Sequence, residues 1–395
     1  MHMDREEYIL IEEGLVRLKV PDFSRYLRSD GVYEPSWAPV FYNPAQTLNR
    51  DLSILAASAC LGDEDMRVLD PFSGTGVRAL RYLKEVPRVQ EAYANDINEE
   101  AYRLIKINAS MNSLQDKVKV FRTEANSLMF LMKYMGLTFH IVDIDPYGSP
   151  APYVDAGVWS VRNGGLLAVT ATDTAPLSGT KWVAGSRKYD VYLAKTDVPH
   201  YVGINLLIGF IARRAAARDR YVEPLMSFTS KHYYRVILRV RRGATQASRM
   251  REENLRYMAY CRRCGFRELA ELTEIRGECP ICGGSLQVIG PLWSGPSSSK
   301  ECIDRSLQLL KGKLSYLPTR DEAESLLQKL SQESNYSQTY RVSTAARYLR
   351  INMPKAEKIA ECLRSKGLGG VRSHLCSDCI STNADWRNFL ECVEG

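Results

Sequence analysis

The 395-residue chain has no run of about 18 apolar residues, which excludes a bilayer-spanning helix. Its opening, Met1-His2-Met3-Asp4-Arg5-Glu6-Glu7, is acidic and polar where an export signal is basic and then apolar. The expectation is a cytoplasmic protein. There is no internal repeat and no low-complexity tract, so neither a solenoid nor a biased linker is expected. Strong net charge is absent too, at +7 overall. Nothing points to an obligate dimer, and a monomer is expected.

What is present is the composition of a soluble globular protein, 45% hydrophobic and 25% charged. The length allows two domains, each with its own core. Charge is unevenly placed, because residues 205–267 carry 15 Lys or Arg against 4 Asp or Glu. Such an excess suits a polyanion held through phosphate contacts, or else a solvated basic face.

Residues 67–170 alternate strand and helix in the βαβ manner. The strands are expected at Arg67–Asp70, Glu91–Asn95, Val118–Phe121, Phe139–Val142 and Leu166–Thr170, with Arg235–Val240 closing the sheet. Helices are expected at Val77–Glu85, Glu99–Met111 after an Asn98 N-cap, Asn126–Met135 and Ala151–Val161, the last stopped by Asn163-Gly164-Gly165. The fold class is α/β, a Rossmann-like doubly wound sheet over residues 1–242 with an amino-terminal extension, 1–62. A carboxyl-terminal α+β domain, 243–395, is expected to hold a cysteine module at 257–290. Its tail, 343–374, reads as helix, turn, helix and wing, with Ser343 or Thr344 as the first cap.

Two loops carry chemistry. Asp70-Pro71-Phe72-Ser73-Gly74-Thr75-Gly76 and Asp143-Ile144-Asp145-Pro146-Tyr147-Gly148 each follow a short apolar strand, so both lie at the carboxyl edge where open α/β sheets bind ligands. Gly74 and Gly76 let backbone approach a cofactor. The run Gly74–Ala79 also fits the G-x-G-x-x-A dinucleotide pattern, but Asp70 and Pro71 crowd the place of a pyrophosphate. A cationic cofactor fits better, with Asp70 facing the ammonium or sulfonium of S-adenosylmethionine. Asp96 ends the second strand, positioned to accept both ribose hydroxyls, and Glu124-Ala125 is placed to meet the adenine edge. For Asp70 and Asp96, helix capping is the alternative use. In the second loop, Asp145 and the carbonyl of Pro146 can accept hydrogen bonds from an exocyclic amine, localising its lone pair, while Tyr147 stacks on the base. That is amino methyl transfer by positioning and preorganised acceptors. The usual loop of such enzymes is Asn/Asp-Pro-Pro-Tyr/Phe; this one is a proline short, and the same letters also suit a plain turn.

Cys261-x2-Cys264 and Cys279-x2-Cys282, each followed by glycine, have the spacing of a four-thiolate structural Zn²⁺ site. Two disulfides in an oxidising compartment are the alternative. Arg262 and Arg263 inside the first pair suit RNA phosphate. Cys376 and Cys379, near His374 and Cys392, form a weaker second candidate, while Cys60, Cys302 and Cys362 are expected to pack as small apolar residues.

The chain resembles the tRNA guanine-26 N2-dimethyltransferases. The resemblance rests on Val40-Phe41-Tyr42-Asn43-Pro44, Asn49-Arg50-Asp51, Asp70–Arg78, Asn95-Asp96-Ile97, Asp143–Pro150, Thr170–Leu177 and Gly290-Pro291-Leu292-Trp293. It implies S-adenosylmethionine bound by Arg50, Arg78, Asp96, Glu124 and Ala125, and Asp145 as the catalytic carboxylate. It also implies the target guanine sandwiched between Phe41 and Tyr147. The family usually has Phe at the place of Tyr147 and Asp at that of Glu124, and only some members carry the four cysteines. The implied partner is tRNA, its buried guanine extruded into the pocket and its shape and phosphates read more than its sequence. Guanine 27 is a second candidate target. An amino methyltransferase acting at N2 or N6 on rRNA or DNA is the alternative enzyme. A catalytically silent RNA-binding protein is disfavoured by the intact Asp70, Asp96 and Asp145.

Overall fold

A computed structural model describes residues 7–395; the acidic opening residues 1–6 lie outside the described residues. In chain order the first half runs β1 (Tyr8–Glu13), β2 (Val16–Pro21), α1 (Thr47–Cys60), β3 (Met66–Asp70), α2 (Val77–Glu85), β4 (Val89–Asn95), α3 (Glu99–Met111), β5 (Val118–Phe121), α4 (Ala125–Tyr134), β6 (Phe139–Ile144), α5 (Val154–Ser160) and β7 (Val161–Ala171). Then follow α6 (Thr174–Leu177), α7 (Trp182–Tyr189), α8 (Pro199–Ala216), β8 (Arg220–Ser230), β9 (Tyr233–Arg242), α9 (Ala244–Asn254), β10 (Leu255–Cys261), β11 (Arg267–Ala270) and β12 (Leu286–Trp293). The chain ends with α10 (Lys300–Lys311), α11 (Arg320–Glu333), β13 (Gln338–Arg341), α12 (Val342–Leu349), α13 (Ala356–Ser365), β14 (Gly370–Arg372), β15 (Cys379–Thr382) and α14 (Trp386–Glu394).

Seven strands form the central sheet in the order β5-β4-β3-β6-β7-β9-β8. The first five are parallel; β9 is antiparallel to both β7 and β8. Chain order reverses between β3 and β6, the switch point at which doubly wound sheets hold ligands. Alternation along the strands fills two cores. Leu69, Val142, Leu167 and Val169 face a cluster completed by α4, α5 and α8. Val68, Ile141, Leu166 and Ala168 face the other, which α1, α2 and α3 share with Ile303, Leu310, Ala323 and Leu327 of α10 and α11. The expected second domain thus sends two helices into the core of the first.

The structure changes several sequence expectations. Asn163-Gly164-Gly165 caps no helix. Helix α5 ends at Ser160 and β7 has already begun. The register steps from Phe139↔Val161 to Ile141↔Leu166, so the positive φ of Gly164 serves a bulge. Neither Ser343 nor Thr344 is the first cap of the tail: α12 opens at Val342, and the Asp378 carboxylate accepts the Ser343 N–H at 3.4 Å. The helix, helix and wing are present, closed by the sheet β13-β15-β14. Cys60, Cys302 and Cys362 are not free apolar residues. Cys60 is bonded to Cys302, Cys362 to Cys392, and Cys376 to Cys379. The second candidate metal pair is thereby consumed, and His374 instead lies 3.1 Å from Glu333. Much of the basic excess is structural: Arg220 donates to the Val158 and Val161 carbonyls, Arg214 pairs with Asp155, and Arg267 with Asp197.

Candidate active site

The register sets the geometry. Val68 pairs with Ile141 and Leu69 with Val142, so Asp70 and Asp143 leave the sheet side by side. Asp143 is fully buried between cations. Arg235 donates to both its oxygens at 2.8 and 2.7 Å, Tyr82 donates at 2.8 Å, and Arg78 at 3.2 Å. Burial alone would raise its pKa, but the charges of Arg235 and Arg78 outweigh this and lower it. Arg78 reaches onward with its other terminal nitrogen to Oδ2 of Asp145. Asn49 completes the cluster, accepting from Arg78 and donating to Thr170, each at 3.2 Å.

Asp145 thus has one oxygen fixed by Arg78, while Oδ1 makes no hydrogen bond among the described residues and remains for an incoming donor. The ring of Tyr147 stands 77% exposed beside Phe41, with centroids 6.2 Å apart and planes at 68°. A base stacked between two rings needs parallel faces roughly 7 Å apart. The two side chains meet at the rim edge-on, and a sandwich would require one ring to rotate.

The glycine loop is built for close approach. Gly74 has φ +51°, and a Cβ there would lie 2.5 Å from the Phe41 carbonyl. Its N–H donates to Oδ2 of Asp96 at 2.9 Å, while Oδ1 of Asp96 accepts from Asn98. Gly76, φ +83°, would put a Cβ 3.3 Å from Ile105. Asp70 is buried, with Oδ2 lacking any hydrogen bond. Burial pushes its pKa up to about 7, against the pull of Arg78 and with the push of Asp143. An orphaned buried carboxylate oxygen beside a glycine cradle fits a ligand that carries a cation. Glu124 caps α4, accepting from Asn126 and Ser127 at 2.9 and 2.8 Å, and Ala125 is buried behind it.

Arg50 is held by the amino-terminal hairpin. Its guanidinium makes two 2.6 Å bonds to Glu13 at the β1–β2 turn, and a 3.2 Å bond to the Asn43 carbonyl. Burial opposes ionisation of Glu13, yet Arg50 and Arg81 bring its pKa down to about 2. Arg81 itself is fully buried between Glu13, Asp51 and Glu85. The structure adds Asn49, Tyr82, Asp143, Thr170 and Arg235 to the residues read from sequence. Arg235 had one readable signal, a charge set between Tyr233-Tyr234 and Val236-Ile237-Leu238 near the start of β9.

The thiols of Cys261, Cys264, Cys279 and Cys282 all lie within 4.8 Å of one another. Cys261 and Cys282 are 3.5 Å apart, and Cys264 and Cys279 3.6 Å. A tetrahedron with Zn–S bonds of about 2.3 Å has edges of about 3.8 Å. The four are free thiols, not disulfides, and their donor set fits zinc.

Comparison with known proteins agrees with this geometry. The family model for N2,N2-dimethylguanosine tRNA methyltransferase matches residues 14–394. A tRNA (guanine(26)-N(2))-dimethyltransferase of Saccharolobus solfataricus is 35% identical over 386 residues, covering 97% of this chain and 98% of that one. The enzyme of the same name from Aeropyrum pernix is 37% identical over 392 residues, covering 96% and 95%. Trm1 from Pyrococcus horikoshii, solved in complex with S-adenosyl-L-methionine, superposes with a TM-score of 0.84 at 29% identity, covering 98% of this chain and 99% of that one. A carboxylate-bearing switch point and a match running through both halves of the sequence place the chain in the N2,N2-dimethylguanosine tRNA methyltransferase family.

Proposed function

We propose that the protein transfers methyl groups from S-adenosylmethionine to the exocyclic N2 of guanine 26 in tRNA, first to the monomethyl and then to the dimethyl form. The observation that carries this is the placement of Asp145: one oxygen is clamped by Arg78, the other is open at the rim beside Phe41 and Tyr147. The family match supplies the substrate.

Asp70 and Asp96 and the Gly74–Gly76 backbone are the residues that would hold the cofactor, which supplies an electrophilic methyl on a sulfonium. Phe41 and Tyr147 grip the extruded guanine once their rings turn parallel. Oδ1 of Asp145 accepts a hydrogen bond from the N2 amine, holding its lone pair toward the methyl. The same oxygen takes the amine proton as the new bond forms and passes it to water. Arg78 fixes the carboxylate so that this alignment requires no reorganisation. A tRNA substrate supports a cytoplasmic enzyme. We infer also that Cys261, Cys264, Cys279 and Cys282 hold a structural Zn²⁺.

Mass spectrometry of nucleosides from an unmodified tRNA transcript tests the reaction. N2,N2-dimethylguanosine is expected after incubation with S-adenosylmethionine, and is lost when guanine 26 is replaced. Methylation of rRNA or DNA, with tRNA untouched, would overturn the assignment.

A further inference from the structure

A cleft of about 500 Å³ opens where three parts of the chain meet. The loop before α8 contributes Lys195, the knuckle between Cys261 and Cys264 contributes Arg262, and the tail contributes Arg341 and Arg347. Lys195, Arg262 and Arg347 are exposed, and their side chains make no hydrogen bond or ion pair among the described residues. Arg341 is shared, donating to the Asp378 carboxylate at 3.1 Å. Asp197 also lines the cleft, but its oxygens accept from Arg267 at 2.9 and 3.0 Å. Three unpaired cations therefore face one opening whose carboxylates already have partners. Side chains of like charge do not gather round a cleft for stability, since their mutual repulsion is relieved only by an anion.

The topology places this cleft. Strands β7 and β8 both run antiparallel to β9, so they point the same way. Helix α8 ends just before β8 begins. Eighteen residues of helix, about 27 Å, return the chain across the sheet. Its start, with Lys195–Asp197 immediately ahead, is therefore at the carboxyl edge of β7, the edge that carries Asp145.

We propose that this cleft binds backbone phosphate of the tRNA body while the target guanine occupies the Asp145 site. The inference rests on the tRNA reading above and extends it: the zinc knuckle, the winged tail and the catalytic half each supply a cation to one phosphate-binding cleft. Ser343 and Thr344 add hydroxyls at its wall. Guanidinium groups suit this ligand because their planar fork matches two phosphate oxygens.

The test uses the full chain carrying Lys195→Ala, Arg262→Ala and Arg347→Ala together. Binding of an unmodified tRNA transcript is measured across a potassium chloride series. The dissociation constant should rise about tenfold or more, and the slope of log K against log salt should become shallower by about one per cation removed. KM for tRNA should rise, with kcat at saturating tRNA and affinity for S-adenosylmethionine unchanged. Arg262→Lys with Arg347→Lys should retain most of the slope. Should the triple variant melt early, Arg347→Glu alone reads the same slope. A wild-type slope and dissociation constant in these variants overturn the cleft. Cleft-dependent binding without methylation of guanine leaves the cleft standing and overturns the reaction instead.

Discussion

Arg78 and Asp145 act as one unit, because the guanidinium that fixes the Asp145 carboxylate is itself anchored on the buried Asp143. Lysine keeps the charge but cannot span two carboxylates. Arg78→Lys should therefore fold with a melting temperature near wild type and lose about 10²-fold in kcat, as misplaced groups do. Arg78→Ala should instead destabilise the protein by about 3 kcal/mol, because it leaves buried carboxylates short of a cation. Steady-state kinetics and denaturant unfolding of the pair separate the two effects.

In the proposed reaction Asp145 touches the amine rather than the cofactor. Asp145→Ala should lower kcat by at least about 10²-fold while calorimetry finds S-adenosylmethionine affinity within about twofold of wild type. Wild-type turnover by this variant would remove Asp145 from the mechanism.

Asp70 sets a pH dependence. Its folded pKa, about 7, lies above the unfolded value of about 3.9, so the folded state holds the proton more tightly. The stability this provides is complete below pH ~4 and is lost as pH rises to about 7. Asp70→Asn should accordingly stabilise the cofactor-free protein at pH 7.5 more than at pH 4.5. A cationic cofactor favours the ionised form, so wild-type affinity for it should climb between pH 5.5 and pH 7.5, and the variant should be flat. Calorimetry across that range reads both.

Removing metal should loosen the module on which the tail is built, since Cys261, Cys264 and Cys279 share a core with Tyr340, Trp386 and Phe389. Chelation, or Cys261→Ser, should lower the melting temperature by about 10 °C. An unchanged melting curve would rule out a structural ion.

Cys60 and Cys302 lie 242 residues apart in sequence, and closing so long a loop restricts the unfolded chain strongly. Cys60→Ser with Cys302→Ser should cost about 4–5 kcal/mol, measured as a lower denaturant midpoint under oxidising conditions and no difference under reducing ones.

The edge proposed to carry the chemistry was legible because its code is local: a short, mostly apolar strand, then a carboxylate, followed by proline at Asp70 and Asp145. Asp70, Asp96 and Asp145 could be read in this way, each at the end of its strand. Arg235 could not be matched to Asp143, since nothing in the intervening residues says which strands become neighbours. The same holds for Cys60 with Cys302, and for Arg50, whose partner Glu13 sits on a hairpin that polar alternation left unannounced. Asn163-Gly164-Gly165 misled for another reason. A positive-φ glycine suits a helix stop and a strand bulge equally, and only the register against β6 decides between them.

Asn49, Arg50 and Asp51 occupy one turn of α1, and each faces a different part of the protein. Asn49 bonds Arg78, Arg50 the amino-terminal hairpin, and Asp51 the Thr319 backbone N–H and hydroxyl at 2.8 and 2.6 Å. A cut after residue 242 would leave every side chain proposed for catalysis on the fragment, yet strip Asp51 of Thr319, Cys60 of Cys302, and one core of its α10 and α11 side chains. The amino-terminal half is therefore not a separable unit: its helix α1 and one of its cores are completed by residues beyond 242.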